Sequence, residues 1–204
     1  MIKKNLILAF ILLFSINLFS QQSDPEKKSR KSRVNLGLGL NIPMKPNSVN
    51  YGLGFSVSQR YEYLLWEHFS LIQGLSYNTI SGKDVREYYG NDYIQTQYET
   101  FSTLPFQIGM GYYFGEGQKT FFILLKGGWA AYWGVHPAYP AIVVNGNVVE
   151  EAKAREEFNG VYGFFTPSIG WQLNHLQISA TYQGHIEQDA SLNVLNISLA
   201  YRIF

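Results

Sequence analysis

The chain has 204 residues, no cysteine and a nearly balanced charge, with 16 Lys and Arg against 15 Asp and Glu. The balance leaves no electrostatic footprint for a nucleic-acid partner, and the absence of thiols excludes a lipid-bearing cysteine, a disulfide framework and thiolate metal sites. Aromatic residues make up 16% and charged residues only 15%, against about 25% charged in soluble domains.

At the N-terminus, Lys3 and Lys4 precede an apolar run from Leu6 to Phe14 that continues to Phe19 and ends at Ser20-Gln21-Gln22. This pattern predicts a secretory signal peptide over 1–20, cleaved after Ser20. The run is shorter than the roughly 20 residues of a spanning helix. Removing Lys3 and Lys4 leaves 14 basic against 15 acidic residues. Residues 21–33 are polar, with Lys27, Lys28, Arg30, Lys31 and Arg33 against Asp24 and Glu26. They are expected to form a flexible periplasmic lead-in; an anionic lipid headgroup or an acidic partner is the alternative use of such a segment.

From Val34 onward the hydrophobic period becomes two. Val34, Leu36, Leu38, Leu40 and Ile42 alternate with Asn35, Gly37, Gly39 and Asn41, which places the apolar side chains on one face of a strand. The Gly37-Leu38-Gly39 pair is not a nucleotide loop, because Ile42 stands at the third glycine position and no helix follows. After a turn over 43–48, Tyr51, Leu53, Phe55 and Val57 alternate with Gly52, Gly54, Ser56 and Ser58, and residues 61–68 read as a reversal. In the third strand Phe69, Leu71, Leu75 and Tyr77 share a face with Gln73 while Ile72 lies opposite. A bulge would resolve that conflict.

A polar segment over 82–97 precedes the fourth strand, where Leu104, Phe106, Ile108, Met110, Tyr112 and Phe114 alternate with Thr103, Pro105, Gln107, Gly109, Gly111 and Tyr113. Gly115-Glu116-Gly117-Gln118 is a tight turn. The fifth strand sets Phe121, Ile123, Leu125, Trp129, Ala131 and Trp133 against Phe122, Leu124, Lys126, Gly128 and Ala130. Lys126 must then point inward, because a cation facing the bilayer midplane costs about 2 to 4 kcal/mol. In the inward phase of the fourth strand, Glu99 is the expected acceptor for Lys126, with a glutamine or water in its place if the two differ in depth; Arg202 needs an acceptor as well.

A second long segment, 134–157, includes an apolar run and the hairpin signal Asn145-Gly146, predicting a two-stranded extension above the membrane. Such an extension is either a self-packed loop or a contact surface for a protein or lipopolysaccharide. Val161, Phe165, Ile169, Trp171 and Leu173 then share one phase; Asn174-His175 reverses the chain into Leu176, Ile178, Ala180 and Tyr182. The last strand sets Leu195, Ile197, Leu199, Tyr201 and Ile203 against Asn196, Ser198, Ala200 and Arg202, ending on Phe204.

No mature stretch of about 18 residues is apolar and uncharged, so no spanning helix is available. The expected fold is all-β, an eight-stranded antiparallel up-and-down transmembrane β-barrel over 34–204. Short reversals near Trp66, Gly115 and Asn174 would face the periplasm, and the segments after Ile42, Ile80, Gly134 and Gln183 the exterior. Two aromatic girdles are expected, Trp66, Tyr112, Phe121, Trp171 and Tyr201 on one rim, Tyr51, Trp133, Phe158 and Tyr182 on the other.

The strand Leu36-Gly37-Leu38-Gly39, the run Ser70-Leu71-Ile72-Gln73-Gly74-Leu75-Ser76-Tyr77, Leu104-Pro105-Phe106 and the ending Leu199-Ala200-Tyr201-Arg202-Ile203-Phe204 resemble the small outer-membrane barrels with PorT-like or OmpA/OmpX-like domains. The resemblance implies outer-membrane localisation, contact with lipid and lipopolysaccharide, and selection by the barrel-assembly machinery through the terminal aromatic. The family includes secretion-accessory proteins and adhesins, so an envelope protein is a further expected partner.

The residues that invite a catalytic reading are His185, Glu187, Asp189 and Ser191 in the last external loop. Lipid A deacylases are small barrels with a histidine and serine two residues apart, whereas Glu187 occupies that position here. His136 with Glu150, Glu151, Glu156 and Glu157 lacks the spacing of a calcium loop, and His68 and His175 have no partner pattern. The expectation is a non-enzymatic structural or interaction module with no catalytic, cofactor or metal site, and a role accessory to secretion or envelope assembly is one such use. A lipid-modifying enzyme and a small pore are the alternatives, the pore disfavoured by bulky inward residues.

Overall fold

The computed structural model describes residues 32–45, 48–115, 119–137, 141–151, 155–185 and 193–203. The expected signal peptide, most of the lead-in, and Phe204 lie outside them. Among the described residues twelve strands occur in chain order. Eight of them close a barrel: β1 (Ser32–Pro43), β2 (Gly54–Leu64), β3 (Phe69–Ile80), β6 (Phe101–Phe114), β7 (Lys119–Pro137), β10 (Arg155–Leu173), β11 (Leu176–His185) and β12 (Val194–Arg202). Each pairs antiparallel with its chain neighbour in the barrel, and β1 closes on β12 from Asn35 opposite Arg202 to Pro43 opposite Val194. The remaining four, β4 (Asp84–Tyr89), β5 (Asp92–Gln97), β8 (Ala141–Val144) and β9 (Asn147–Glu150), form a separate sheet.

The alternation read in the sequence is the alternation of the wall. Leu38, Leu125, Trp129, Val161, Ile178 and Leu199 point outward and are each at least half exposed. A continuous apolar exterior of this extent far exceeds what a water-soluble monomer presents and is what a bilayer-spanning barrel requires. Closing the sheet gives each wall strand a partner on both sides, the arrangement that satisfies backbone groups in lipid; among the described residues the part of β10 before Phe164 pairs with β7 alone.

Several boundaries differ from the sequence reading. β2 starts at Gly54 and runs to Leu64, so the reversal shrinks to 65–68. Tyr51 leaves the strand and bridges Gly82 instead. β3 carries no register shift against either neighbour: Gln73 faces outward and Ile72, fully buried, faces inward. The extra inward apolar group is absorbed by a cluster with Tyr113, Phe122 and Leu124 rather than by a bulge. β7 and β10 are each 19 residues long and pair from Lys119–Leu173 to Pro137–Arg155, so they consume both ends of the segment read as the loop 134–157.

The rims are aromatic. At the end with short turns, Trp66, Phe69, Tyr112, Phe114, Phe121 and Trp171 form an unbroken series with ring centroids 4.8 to 6.1 Å apart, and Tyr201 stacks on His175. At the other end Trp133 stacks on Tyr77, and Tyr182 meets Phe165. Tyr51 does not join that girdle, because it packs over the interior cluster of Ile80, Phe101 and Val194. The side chain of Phe158 lies outside the described residues.

Candidate functional site

The two longest connections fold as paired hairpins. In the first, β4 and β5 join through Gly90-Asn91, with Gly90 at a φ of 70°. In the second, β8 and β9 join through Asn145 and Gly146, whose φ values of 51° and 79° are the two positive angles of a type I′ turn, the turn whose twist matches a hairpin. The predicted two-stranded extension is therefore present, and it has a partner: β5 pairs with β8 through Tyr93–Val143, Ile94–Ile142 and Gln95–Ala141. The order is β4-β5-β8-β9, and Asn145 N–H donates to Asp92 Oδ1 at 3.1 Å across the seam.

Paired residues share a face, so Tyr88, Tyr93, Val143 and Val148 form one cross-strand row. Tyr88 and Tyr93 have centroids 5.5 Å apart, and the Arg86 guanidinium lies 5.1 Å from the Tyr93 centroid. Val143 is buried, whereas Tyr88, Tyr89, Val148 and Val149 on the outer strands are 59 to 67% exposed. The base of the sheet is tied to the first loop: Lys83 N–H donates to the Asn50 carbonyl at 3.0 Å, Gly52 N–H to Ser81 at 2.7 Å, and Lys83 Nζ to the Ser48 carbonyl at 2.8 Å. Tyr51 sits within that base against Tyr98; burial first, and the neighbouring Tyr98 second, push its phenol above the usual value.

Below the sheet the barrel is filled. Phe122, Leu124, Ala130, Phe164 and Ile72 are at most 1% exposed, and the cavity between Asn78, Thr103, Tyr162 and Gln183 measures about 10 Å³, room for one water. The polar filling is bonded across the lumen: Asn196 donates to Asn41 at 2.7 Å and to Ser56 at 2.8 Å, and Gln183 donates to the Tyr162 hydroxyl at 3.0 Å.

Toward the short-turn end the filling becomes ionic. Glu62 is fully buried; Arg60 Nε lies 2.5 Å from its Oε1, Asn35 donates to Oε1 at 3.2 Å, and the Tyr113 hydroxyl donates to Oε2. Arg60 also donates to Gln177, and Arg202 donates to Gln172. Ending β2 at Ser58 hid this pair from the sequence reading; continuing the alternation, with Arg60 and Glu62 in one phase and Tyr61 and Tyr63 in the other, would have placed both inside.

Lys126 points inward as expected, opposite Gly109 and Thr166. Its proposed acceptor does not meet it. Glu99 precedes β6, ten residues from Gly109, and about 3.3 Å per strand residue puts the two some 30 Å apart along the wall. Glu62 is instead the carboxylate within electrostatic range of Lys126.

Of the catalytic candidates, His185 ends β11 opposite Phe164; its side chain, and all of Glu187, Asp189 and Ser191, lie outside the described residues. His136 and Glu156 are opposite each other in register, with side chains outside the description, while Glu150, Glu151 and Glu157 are exposed. Among the described residues no three His, Asp or Glu side chains gather as metal ligands. The rings of His68 and His175 pack on Tyr112 and Tyr201.

No protein-family model and no curated protein matches the sequence. Among solved structures, the N-terminal β-barrel domain of Pseudomonas aeruginosa OprF is similar, with a TM-score of 0.50 and 10% identity over 86% of this chain and 100% of that one. Ail, the attachment invasion locus protein of Yersinia pestis, is similar with a TM-score of 0.50 and 13% identity, over 84% and 97%. The outer membrane enzyme PagL aligns more loosely, with a TM-score of 0.43 and 10% identity over 83% and 99%. In fold, the chain is a small eight-stranded antiparallel barrel of the kind found in bacterial outer membranes.

Proposed function

We propose that the chain is an exported integral outer-membrane protein, PorT-like or OmpA/OmpX-like in kind, that acts without catalysis as an interaction module. Its working surface is the four-stranded sheet, which contacts an envelope protein or lipopolysaccharide in support of secretion or envelope assembly. The observation that carries this reading is the union of two loops, about 50 residues apart in sequence, into one ordered sheet on top of a filled barrel. A loop that only connects two wall strands has no need of such pairing, and loops held by a rigid scaffold are where binding concentrates. The filled lumen argues against a pore.

The test is topological and electrical. A short epitope inserted between Gly90 and Asn91 is labelled on intact cells, while one inserted at Gly115 is labelled only after the outer membrane is opened. Purified protein in planar bilayers gives no stable conductance of porin size. Labelling at Gly115 alone on intact cells, or reproducible large conductance, overturns the reading.

A further inference from the structure

The dipeptide Asn-Gly occurs twice in the chain, at Asn145-Gly146 and at Asn159-Gly160. Asparagine is thermolabile because the next backbone nitrogen can attack its side-chain amide, and a following glycine puts no Cβ beside that nitrogen. The fold sets the two copies in opposite surroundings. Asn159 and Gly160 lie within β10, opposite Trp133 and Tyr132, and a Cβ on Gly160 would meet the Tyr132 hydroxyl at 2.5 Å. Their backbone is held extended and packed.

Asn145 and Gly146 are both exposed at the tip of the β8-β9 hairpin. The closing pair there is Val144 and Asn147, so the Gly146 N–H stands outside the hydrogen bond of the turn. A Cβ on Gly146 would meet nothing within 4 Å. Asn174, another turn asparagine, shares the positive φ at 55°, but its successor is His175, whose ring stacks on Tyr201.

We propose that Asn145 is a site of spontaneous covalent modification, converted through a cyclic imide to aspartate and isoaspartate, and that the conversion loosens the outer sheet at the β5-β8 seam. The Gly146 nitrogen loses its proton to water and bonds to Asn145 Cγ; the bond from Cγ to Nδ2 breaks, and ammonia leaves with a proton taken from water. A further water opens the imide. Opening at Cγ gives aspartate, and opening at the main-chain carbonyl gives isoaspartate, with the chain now running through Cγ. Either product carries a new carboxylate on the residue whose N–H donates to Asp92 Oδ1 at 3.1 Å across the seam. Isoaspartate also lengthens the main chain inside the turn between Val144 and Asn147, and turn length sets hairpin register. The seam has only the pairs Tyr93–Val143, Ile94–Ile142 and Gln95–Ala141 to absorb this change. The reaction needs only water and is independent of what the sheet binds.

The test uses the purified full chain in detergent, incubated at mildly alkaline pH. Peptide mapping by mass spectrometry, with isoaspartate resolved from aspartate, follows each asparagine, and limited proteolysis of the intact samples follows the β8-β9 hairpin. Asn145 converts at least about tenfold faster than Asn159, whose ladder must open first. Isoaspartate accumulates beside aspartate, and hairpin cleavage rises in step while the barrel keeps its heat-modifiable mobility. Asn145→Gly retains the left-handed turn and the backbone N–H but has no amide to lose, so its cleavage stays constant with time. Asn145→Asp is cleaved faster than the parent from the start. Equal conversion at Asn145 and Asn159, aspartate without isoaspartate, or a converted hairpin cut no faster than a fresh one overturns the proposal.

Discussion

Exchanging two adjacent side chains of β7 tests the assignment of inside and outside. In Leu125→Lys with Lys126→Leu the composition is unchanged, yet the cation moves from the lumen to a position that is 63% exposed on the outer face. Position 125 lies two residues from the middle of the stretch bounded by Phe121 and Trp133, so the charge meets the bilayer near its centre. A lysine there costs about 2 to 4 kcal/mol. Among the described residues Lys126 makes no hydrogen bond or ion pair for the lumen to lose, so the cost of the charge in lipid dominates, or about 30- to 900-fold in the folding equilibrium. Lys126→Gln keeps a polar group inside and removes only the charge, for a change below about 1 kcal/mol. Urea titration of protein refolded into bilayers, scored by heat-modifiable mobility, separates the two variants. Equal midpoints would refute the phase of β7 and with it the phase of every strand in register with it.

Gly109→Ala and Gly74→Ala form a matched pair: a methyl at 109 would sit 2.1 Å from the Leu125 carbonyl oxygen, one at 74 no closer than 3.6 Å to any atom. The first is expected to cost about 1 to 3 kcal/mol and the second to leave the refolding midpoint unchanged. Gly146→Ala meets no atom within 4 Å but must hold a φ of 79°, at about 1 to 2 kcal/mol; limited proteolysis should find the β8-β9 hairpin cut faster while the barrel's mobility shift is retained.

The wall was legible because its signal is local. A strand half in lipid and half in a polar lumen alternates residue by residue, and even the mid-strand cation Lys126 falls in the correct phase. What stayed hidden depends on partners distant in the chain. Nothing near Tyr93 announces Val143, and nothing near Lys126 announces that Glu62 rather than Glu99 lies across the lumen. Tyr51 shows the limit of periodicity: it continues the alternation of β2 in sequence, but the chain bends before Gly54, whose Cβ would lie 1.8 Å from the Thr79 carbonyl oxygen. The interior cluster of Ile72 reads as an irregularity in one strand because the side chains it packs against come from two others, β6 and β7.

The ring series from Trp66 to Trp171 spans β3, β6, β7 and β10, whereas among the described residues the opposite arc, through β11, β12 and β1, offers Tyr201 beside His175. Indole and phenol rings settle at headgroup depth and resist being pulled toward either water or hydrocarbon. Anchors of this kind set how a spanning element leans. The cylinder is thus moored along one side like a hull tied at a single quay, and the four-stranded sheet inherits that heading: its row from Tyr88 to Val148 is held at an angle fixed from the opposite rim.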